Sequence, residues 1–264
     1  MTASHRPLTA QDLLPGPLQR LGRRIYLHAS IPSTNTFLLE HAAEAGDGAV
    51  AWAESQTAGR GRLGRRWLAP RGSSVLLSVL LREPPDSPLR PHAALLGTVA
   101  ACEAIETATE CTPAVRWPND VYLGGRKLGG VLAESGAGVG GVVIGVGLNC
   151  LQHRRHFTAE LRDTATSLEC ESRHAIDRAA VAATLLARLD NWLVAASRDP
   201  AAWAKLRGAW RQRCEDLGRP VALEHDGRSF RGTAVDIAEN GDLIVQLDHG
   251  GRRHFASANT TRAG

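Results

Sequence analysis

One stretch gathers a carboxylate, an amide and an ammonium around a tight turn. Arg116-Trp117-Pro118-Asn119-Asp120 runs toward Gly124-Gly125, and Arg126-Lys127-Leu128-Gly129-Gly130 leaves it and continues to Glu134. Two β-like runs about a Gly-Gly pair read as a hairpin. Pro118 cannot donate to a ladder, which puts Asn119 and Asp120 at an edge or a strand end. Gly129-Gly130 bares the backbone beside Lys127, so a ligand can approach it there. Together these groups suit a small ligand carrying both a carboxylate and a phosphate. Lys127 has a compositional claim as well: of 31 Lys+Arg, only Lys127 and Lys205 are lysines. One reading is a need for a compact, mobile ammonium where Arg offers a planar fork. The other is a lysine placed by chance, and composition alone does not separate the two.

A second cationic stretch runs from Gln56 to Trp67. In Gly59-Arg60-Gly61-Arg62-Leu63-Gly64-Arg65-Arg66-Trp67, three glycines interleave with four arginines. Glycine gives a loop freedom and arginine gives it permanent charge. A merely solvated loop carries scattered charge. This alternation, closed by a Trp, predicts a mobile loop that shuts over an anionic ligand, with Trp67 as its apolar anchor. Ser33-Thr34-Asn35-Thr36 has the residue types of a helix N-cap, and capping alone accounts for it. A strand ending Gly145-Val146-Gly147-Leu148-Asn149 brings one more amide to its tip.

These groups need elements to hold them. Residues 1–22 read as a Pro-containing lead-in with one helical turn near 18–21. Strands are expected over 25–30, 49–55, 73–81 and 142–149. Helices are expected over 34–45 (stopped by Gly46), within 88–110, and over 177–196 and 200–214. In the second of these, Leu95, Leu96, Val99, Cys102 and Ile105 run roughly along one face; in the last, Trp203 and Trp210 lie seven apart and read as core. Residues 152–168 are polar and Arg-rich, a surface loop. From Arg219 the pattern changes to short alternating strands over 221–224, 229–237, 243–247 and 252–255. Asp226-Gly227, Asn240-Gly241 and Gly250-Gly251 punctuate them as hairpin turns. That is a small β-module, such as an SH3-like barrel, with too little core of its own, so it is expected to dock on what precedes it. The expected division is a lead-in at 1–22, a catalytic domain at 23–217 and the β-module at 218–264.

The totals set limits. At 264 residues, with 43% hydrophobic and 22% charged, the chain can build one large or two modest soluble domains. A net charge of +4 fits anionic ligands or an acidic protein partner and does not by itself indicate nucleic acid. The five cysteines are scattered, without C-x-x-C or Cys/His ligand spacing, as expected of reduced thiols in a cytosol. No metal ligands are assigned. The N-terminus lacks an apolar leader core, and the longest uncharged run, 135–152, is too Gly-rich for a span. A soluble, cytoplasmic protein with no membrane partner is expected.

The motifs, in this order and at this spacing, resemble those of the biotin protein ligases, from about residue 23 to the end. They are Ser33-Thr34-Asn35, Gln56 to Trp67, Trp117-Pro118-Asn119-Asp120, Arg126-Lys127-Leu128-x-Gly130-x-Leu132-x-Glu134 and Gly145-x-Gly-x-Asn149. The resemblance implies an α+β fold: a mixed β-sheet with helices packed on it, then an SH3-like β domain. It implies ATP and biotin as substrates with Mg²⁺, formation of biotinyl-5′-AMP, and transfer of biotin to a lysine of a carboxylase's biotin carboxyl carrier domain. It implies Lys127, Arg62 and Asp120 as catalytic groups. Ser33, Thr34, Asn35, Gln56, Gly59, Arg60, Arg62, Lys127 and Gly130 are then the biotin side. Arg62, Arg65, Trp67, Asn119, Asp120, Lys127 and Asn149 are the nucleotide side. Residues 152–168 correspond to a region that folds over the adenine, without individual assignments. Some members carry an N-terminal helix-turn-helix. Here the first core strand begins near Ile25, so no sequence-specific DNA binding is expected. Homodimerisation through edge strands stays open, as does the identity of the carrier.

Two rivals stand beside this reading. A lipoate–protein ligase shares the fold class, but the Gly-Arg-Gly-Arg loop is of the biotin type and no Arg-Arg-x-x-Gly-Gly-Gly run is present. A non-catalytic RNA- or peptide-binding module would use aromatics among its basic residues, yet aromatics are 5% and do not interleave with the loop.

Overall fold

In the computed structural model, residues 6–136 and 138–262 are described. The strands are β1 Ile25–His28, β2 Val50–Ala53, β3 Ser74–Arg82, β4 Ala114–Arg116, β5 Asp120–Leu123, β6 Arg126–Glu134 and β7 Gly141–Asn149, then β8 Pro220–His225, β9 Arg228–Ile237, β10 Leu243–Leu247, β11 Arg252–Phe255 and β12 Thr260–Arg262. The helices are α1 Ala10–Leu13, α2 Thr34–Glu40, α3 Ala42–Ala45, α4 Leu89–Ala108, α5 Leu168–Glu171, α6 Arg178–Arg198 and α7 Ala201–Arg213.

The first seven strands form one sheet in the order β1-β2-β3-β7-β6-β5-β4. It is mixed: β1 runs parallel to β2, and the other pairings are antiparallel. β3 and β7 are its centre, with near-continuous apolar runs, as strands covered on both faces require. One face packs on α4, where Gly97 lies so close to the sheet that a Cβ there would sit 2.6 Å from Val131. α6 and α7 pack against α4 in turn. α2 and α3 cover part of the other face around Leu38, Leu80 and Val143, and the rest of that face is the site. α4 is buried around most of its circumference, a wider face than its expected stripe, because the sheet, two helices and the Gly241 turn of the C-terminal module all touch it.

The last five strands make a second, antiparallel sheet in the order β11-β10-β9-β8-β12. These five strands are the short, hairpin-linked β-module expected from Arg219 onward. Its apolar side shares one core with the first sheet: Val221, Leu243 and Phe255 belong to the same buried cluster as Trp117 and Leu95. The indole N–H of Trp117 donates to Gly241 O at 3.1 Å, pinning the Asn240-Gly241 turn beside the central hairpin.

Two local expectations change. The helical turn near 18–21 is absent; the N–H groups of Gln19, Arg20 and Leu21 all point at the buried Asp190 carboxylate of α6, each at 2.8 Å. The lead-in's helix is α1, capped by Thr9 with Asp12 returning the bond. The helix over 34–45 breaks at His41, whose ring stacks on Phe37 and whose Nδ1 competes for Phe37 O at 2.9 Å. All five cysteines are free.

Candidate active site

The central hairpin turns through Gly124 and Gly125, with φ of 57° and 74°. Two successive positive φ values are what a two-residue type I′ turn needs. β5 and β6 do not pair regularly beyond it. Tyr122 faces Lys127, but Val121 faces Gly129, so Leu128 is an extra residue on β6. This β-bulge decides where Lys127 points. By simple alternation Lys127 shares a face with Gly129 and Val131, and Val131 packs on α4. The bulge moves Lys127 to the opposite face, with Tyr122, Asp120 and Gly130. There its Nζ meets Asp120 Oδ1 at 2.7 Å. Gly130 keeps the pair clear: a Cβ on it would lie 3.2 Å from Asp120 Oδ1. The outer edge of Lys127 is taken by the polar loop. Its N–H donates to Thr164 O, and Thr166 N–H donates to Lys127 O, both at 2.8 Å.

Below the pair lies a neutral polar floor. Ser33 caps α2 through its Oγ. The N–H of Thr34 donates to Gln56 Oε1 at 2.8 Å. Ser78, fully buried on β3, lies 2.6 Å from Asn35 Oδ1 and 2.7 Å from Thr34 Oγ1. A hydroxyl has one proton, and an amide oxygen can only accept, so Ser78 donates to Asn35 and takes the Thr34 proton. Asn35 Nδ2 donates to Leu132 O at 3.1 Å and to Glu134 Oε2 at 2.8 Å. Gly145 leaves the space Asn35 fills: a Cβ there would be 2.0 Å from Asn35 Oδ1.

The glycine-arginine loop arches over this floor. It is closed on itself by a bridge between Arg60 and Arg66 and by Trp67 N–H to Gly59 O at 2.9 Å. Arg60 reaches Glu134 Oε2 at 2.7 Å. Arg62 turns toward the C-terminal module, donating to Thr260 O at 3.0 Å and to Ser257 O, with Asn119 Oδ1 at 3.4 Å. Burial pulls the Arg62 guanidinium below its ordinary value; Asp120 pulls it back up and Arg65 lowers it further. Trp67 lies on Gly147, where a Cβ would come within 2.9 Å of the indole. The Trp67 Nε1 is buried without a hydrogen-bond partner among the described residues.

These pieces enclose a cavity of about 400 Å³, within the usual range for a small-ligand site. Six cations border it: Arg60, Arg62, Arg65, Arg66, Lys127 and Arg262. Among the described residues Asp120 is the one carboxylate on its wall. The cavity is therefore cationic above and neutral and polar below, which fits a ligand with an anionic end and an uncharged, hydrogen-bonding head.

Comparison with known proteins agrees with that geometry. Residues 27–149 match the biotin/lipoate A/B protein ligase family, and residues 216–259 match the biotin protein ligase C-terminal domain. The chain is 36% identical over 245 residues to the biotin–[acetyl-CoA-carboxylase] ligase of Mycobacterium tuberculosis, spanning 89% of this chain and 87% of that protein. The chain belongs to the biotin/lipoate protein ligase family. It is also 31% identical over 245 residues to the bifunctional ligase/repressor BirA of Bacillus subtilis, across 90% of this chain and 74% of that one. Among solved structures it resembles the Aquifex aeolicus biotin protein ligase in complex with biotin and ATP. That match has a TM-score of 0.78 at 27% identity and covers 92% of this chain and 99% of the other.

Within this family framework, the structure brings Ser33, Thr34, Asn35, Gln56, Arg60, Arg62, Arg65, Trp67, Asn119, Asp120, Lys127, Gly130 and Asn149 to one cavity wall. Gly59 stands off it: a Cβ there would strike Trp67 O at 2.5 Å, so its smallness serves the neck of the loop. Asn149 is largely committed, with Nδ2 on Thr166 O at 2.9 Å and Oδ1 accepting from Gln152 at 2.9 Å. Wall residues absent from the sequence expectations include Leu77, Tyr122, Thr261 and Arg262. Tyr122 carried a signal, being two residues from Asp120 and so on the same face. Arg262 carried none, since the docking of β12 delivers it. Among the described residues no three His, Cys, Asp or Glu groups converge as a metal cage.

Proposed function

We propose that the chain is an ATP-dependent biotin–protein ligase. The observation that carries this is the single cavity in which six cations and one carboxylate stand over the Ser33–Asn35, Gln56 and Ser78 floor. The floor offers donors and acceptors but no charge, as an uncharged ureido head requires. The cations suit a carboxylate and a polyphosphate brought together. In the first step a biotin carboxylate oxygen attacks the α-phosphorus of ATP, and the bond to pyrophosphate breaks. Lys127 and the loop arginines offset the charge of two approaching anions. Mg²⁺ bound with ATP supplies further neutralisation of the phosphates. In the second step a carrier lysine attacks the acyl carbon and AMP leaves with the bonding electrons. That lysine must lose a proton. Asp120 accepts it once anions draw Lys127 away from the 2.7 Å pair.

The relatives named above are biotin ligases, which favours biotin over lipoate. The acceptor is the biotin carboxyl carrier domain of a carboxylase. The catalytic unit spans 23–217 and the module 218–264. The described residues ahead of β1 hold one four-residue helix, α1. One described helix, α6, is long and apolar enough to cross a membrane. It spends Val181, Leu185, Leu186, Leu189 and Leu193 on the core, and a ligase that uses ATP and a carboxylase carrier is expected in the cytoplasm. The test is pyrophosphate release from labelled biotin, ATP and Mg²⁺, beside the same assay with lipoate. Release with lipoate in preference would move the chain to the sister activity, and release with neither acid would remove the enzymatic reading.

A further inference from the structure

Two parts of the site have different jobs. The floor reads an uncharged head, and the loop closes over the anions. One side chain touches both. Glu134, the last residue of β6, accepts on a single oxygen, Oε2, from Asn35 Nδ2 at 2.8 Å and from Arg60 Nη2 at 2.7 Å. Asn35 is 4% exposed and is held on its other side by Ser78. Ser78 in turn touches Thr34, and Thr34 N–H is held by Gln56, three residues before Gly59. A continuous polar chain therefore runs from the head-reading floor through Glu134 to the root of the loop.

We propose that Glu134 is a positioning residue that ties closure of the loop to occupation of the floor, an inference that rests on the ligase reading for what fills the floor. The physical argument concerns sharing. The carboxylate oxygen has two lone pairs, so it accepts from Asn35 and, with charge assistance, from Arg60 at once. A ligand that orients Asn35 fixes the Glu134 rotamer, and a fixed carboxylate is the better partner for Arg60. In the other direction, Arg60 on Glu134 holds Asn35 in its head-reading orientation. Such coupling is reciprocal by necessity. Glu134 does not line the cavity, so its part is exerted through Asn35 and Arg60 and not by touching the reacting atoms.

The test uses the full chain and the variant Glu134→Gln, which keeps an oxygen for Asn35 and removes the charge that holds Arg60. Trypsin cutting at the arginines of residues 60–66 is timed with and without biotin, and biotin-dependent pyrophosphate release gives KM and kcat. In the wild type, biotin alone slows cutting. In Glu134→Gln the KM for biotin should stay within about threefold, kcat should fall about 10–100-fold, and biotin should no longer slow cutting. Glu134→Asp, with the charge restored, should regain part of the protection. Three results overturn the proposal: a wild-type loop that biotin does not protect, a Glu134→Gln loop still protected with kcat unchanged, or faster cutting by one factor with and without biotin together with a lower Tm. Wild-type protein that is protected by biotin yet releases no pyrophosphate would remove the ligase reading and leave the coupling standing.

Discussion

Lys127 is the residue whose loss should cost most. It is the one lysine of the cavity, aimed by a bulge and balanced by Asp120. Lys127→Ala should lower biotin-dependent pyrophosphate release by about 10²–10³-fold, the usual effect of deleting one preorganised charge-stabilising donor. Lys127→Arg should not restore it, because a planar fork does not occupy the place of a compact ammonium beside Asp120. Activity within about threefold of wild type in Lys127→Arg would show that charge alone suffices. Gly145→Ala should act on the floor instead: its methyl must displace Asn35, so KM for biotin should rise far more than kcat falls. At this scale much of the site was legible, because Asn119, Asp120, Lys127 and Gly130 stand in one motif around one turn. Ser78 was not. It is a single hydroxyl in an apolar strand, and only the pairing of β3 with β7 and the seating of α2 put it under Asn35.

The elements were readable wherever a period ran long enough to declare itself. β10 and β11 fall on the expected residues, and the hairpin turns at Gly124-Gly125 because both glycines supply positive φ. β4 and β12, three residues each, carry no period, and pairing partners alone create them. The bulge at Leu128 was equally silent, although it settles which way Lys127 faces. Polar links between elements are a further blind spot. Arg178 at the start of α6 is 2% exposed and meets Glu54, 4% exposed, at 2.8 Å. Glu54 also accepts from Leu8 N–H and from Trp52 Nε1, so one carboxylate joins the lead-in, β2 and α6. Removing one partner strands a buried charge, so Arg178→Met should cost about 3–5 kcal/mol in urea unfolding. Adding Glu54→Gln should recover part of that loss. A double variant whose loss equals or exceeds the sum of the two single losses would show that the pair is not coupled.

At the scale of the molecule, the C-terminal module is part of the site. It supplies Arg262 to the cavity wall and the carbonyls that hold Arg62. One histidine sits at its docking seam. His92 of α4 is 5% exposed, lies on Trp203 of α7 with ring centroids 5.0 Å apart, and sits beside Glu239 of the module. Its Nδ1–H donates to Pro88 O at 2.7 Å, so Nε2 carries the lone pair 3.3 Å from Arg207. Burial is the main cause that holds this imidazole below its ordinary 6.5, Arg207 adds to it, and Pro88 O and Glu239 oppose it. His28 is lowered too, by burial and then by His41. A lowered folded pKa means that below about pH 6.5 the unfolded chain takes up protons the folded chain refuses. Stability from these groups is therefore full above pH 6.5 and lost as pH falls below it. The urea midpoint should drop between pH 7 and pH 5.5, and less steeply in His92→Asn, whose amide can still donate to Pro88 O. Parallel slopes would exclude His92. Because the carbonyls that hold Arg62 ride on the module, pyrophosphate release should decline along the same pH course in the wild type and be shallower in the variant. A loss of activity with unaltered pH course in His92→Asn would place the sensitive group in the cavity and not at the docking seam.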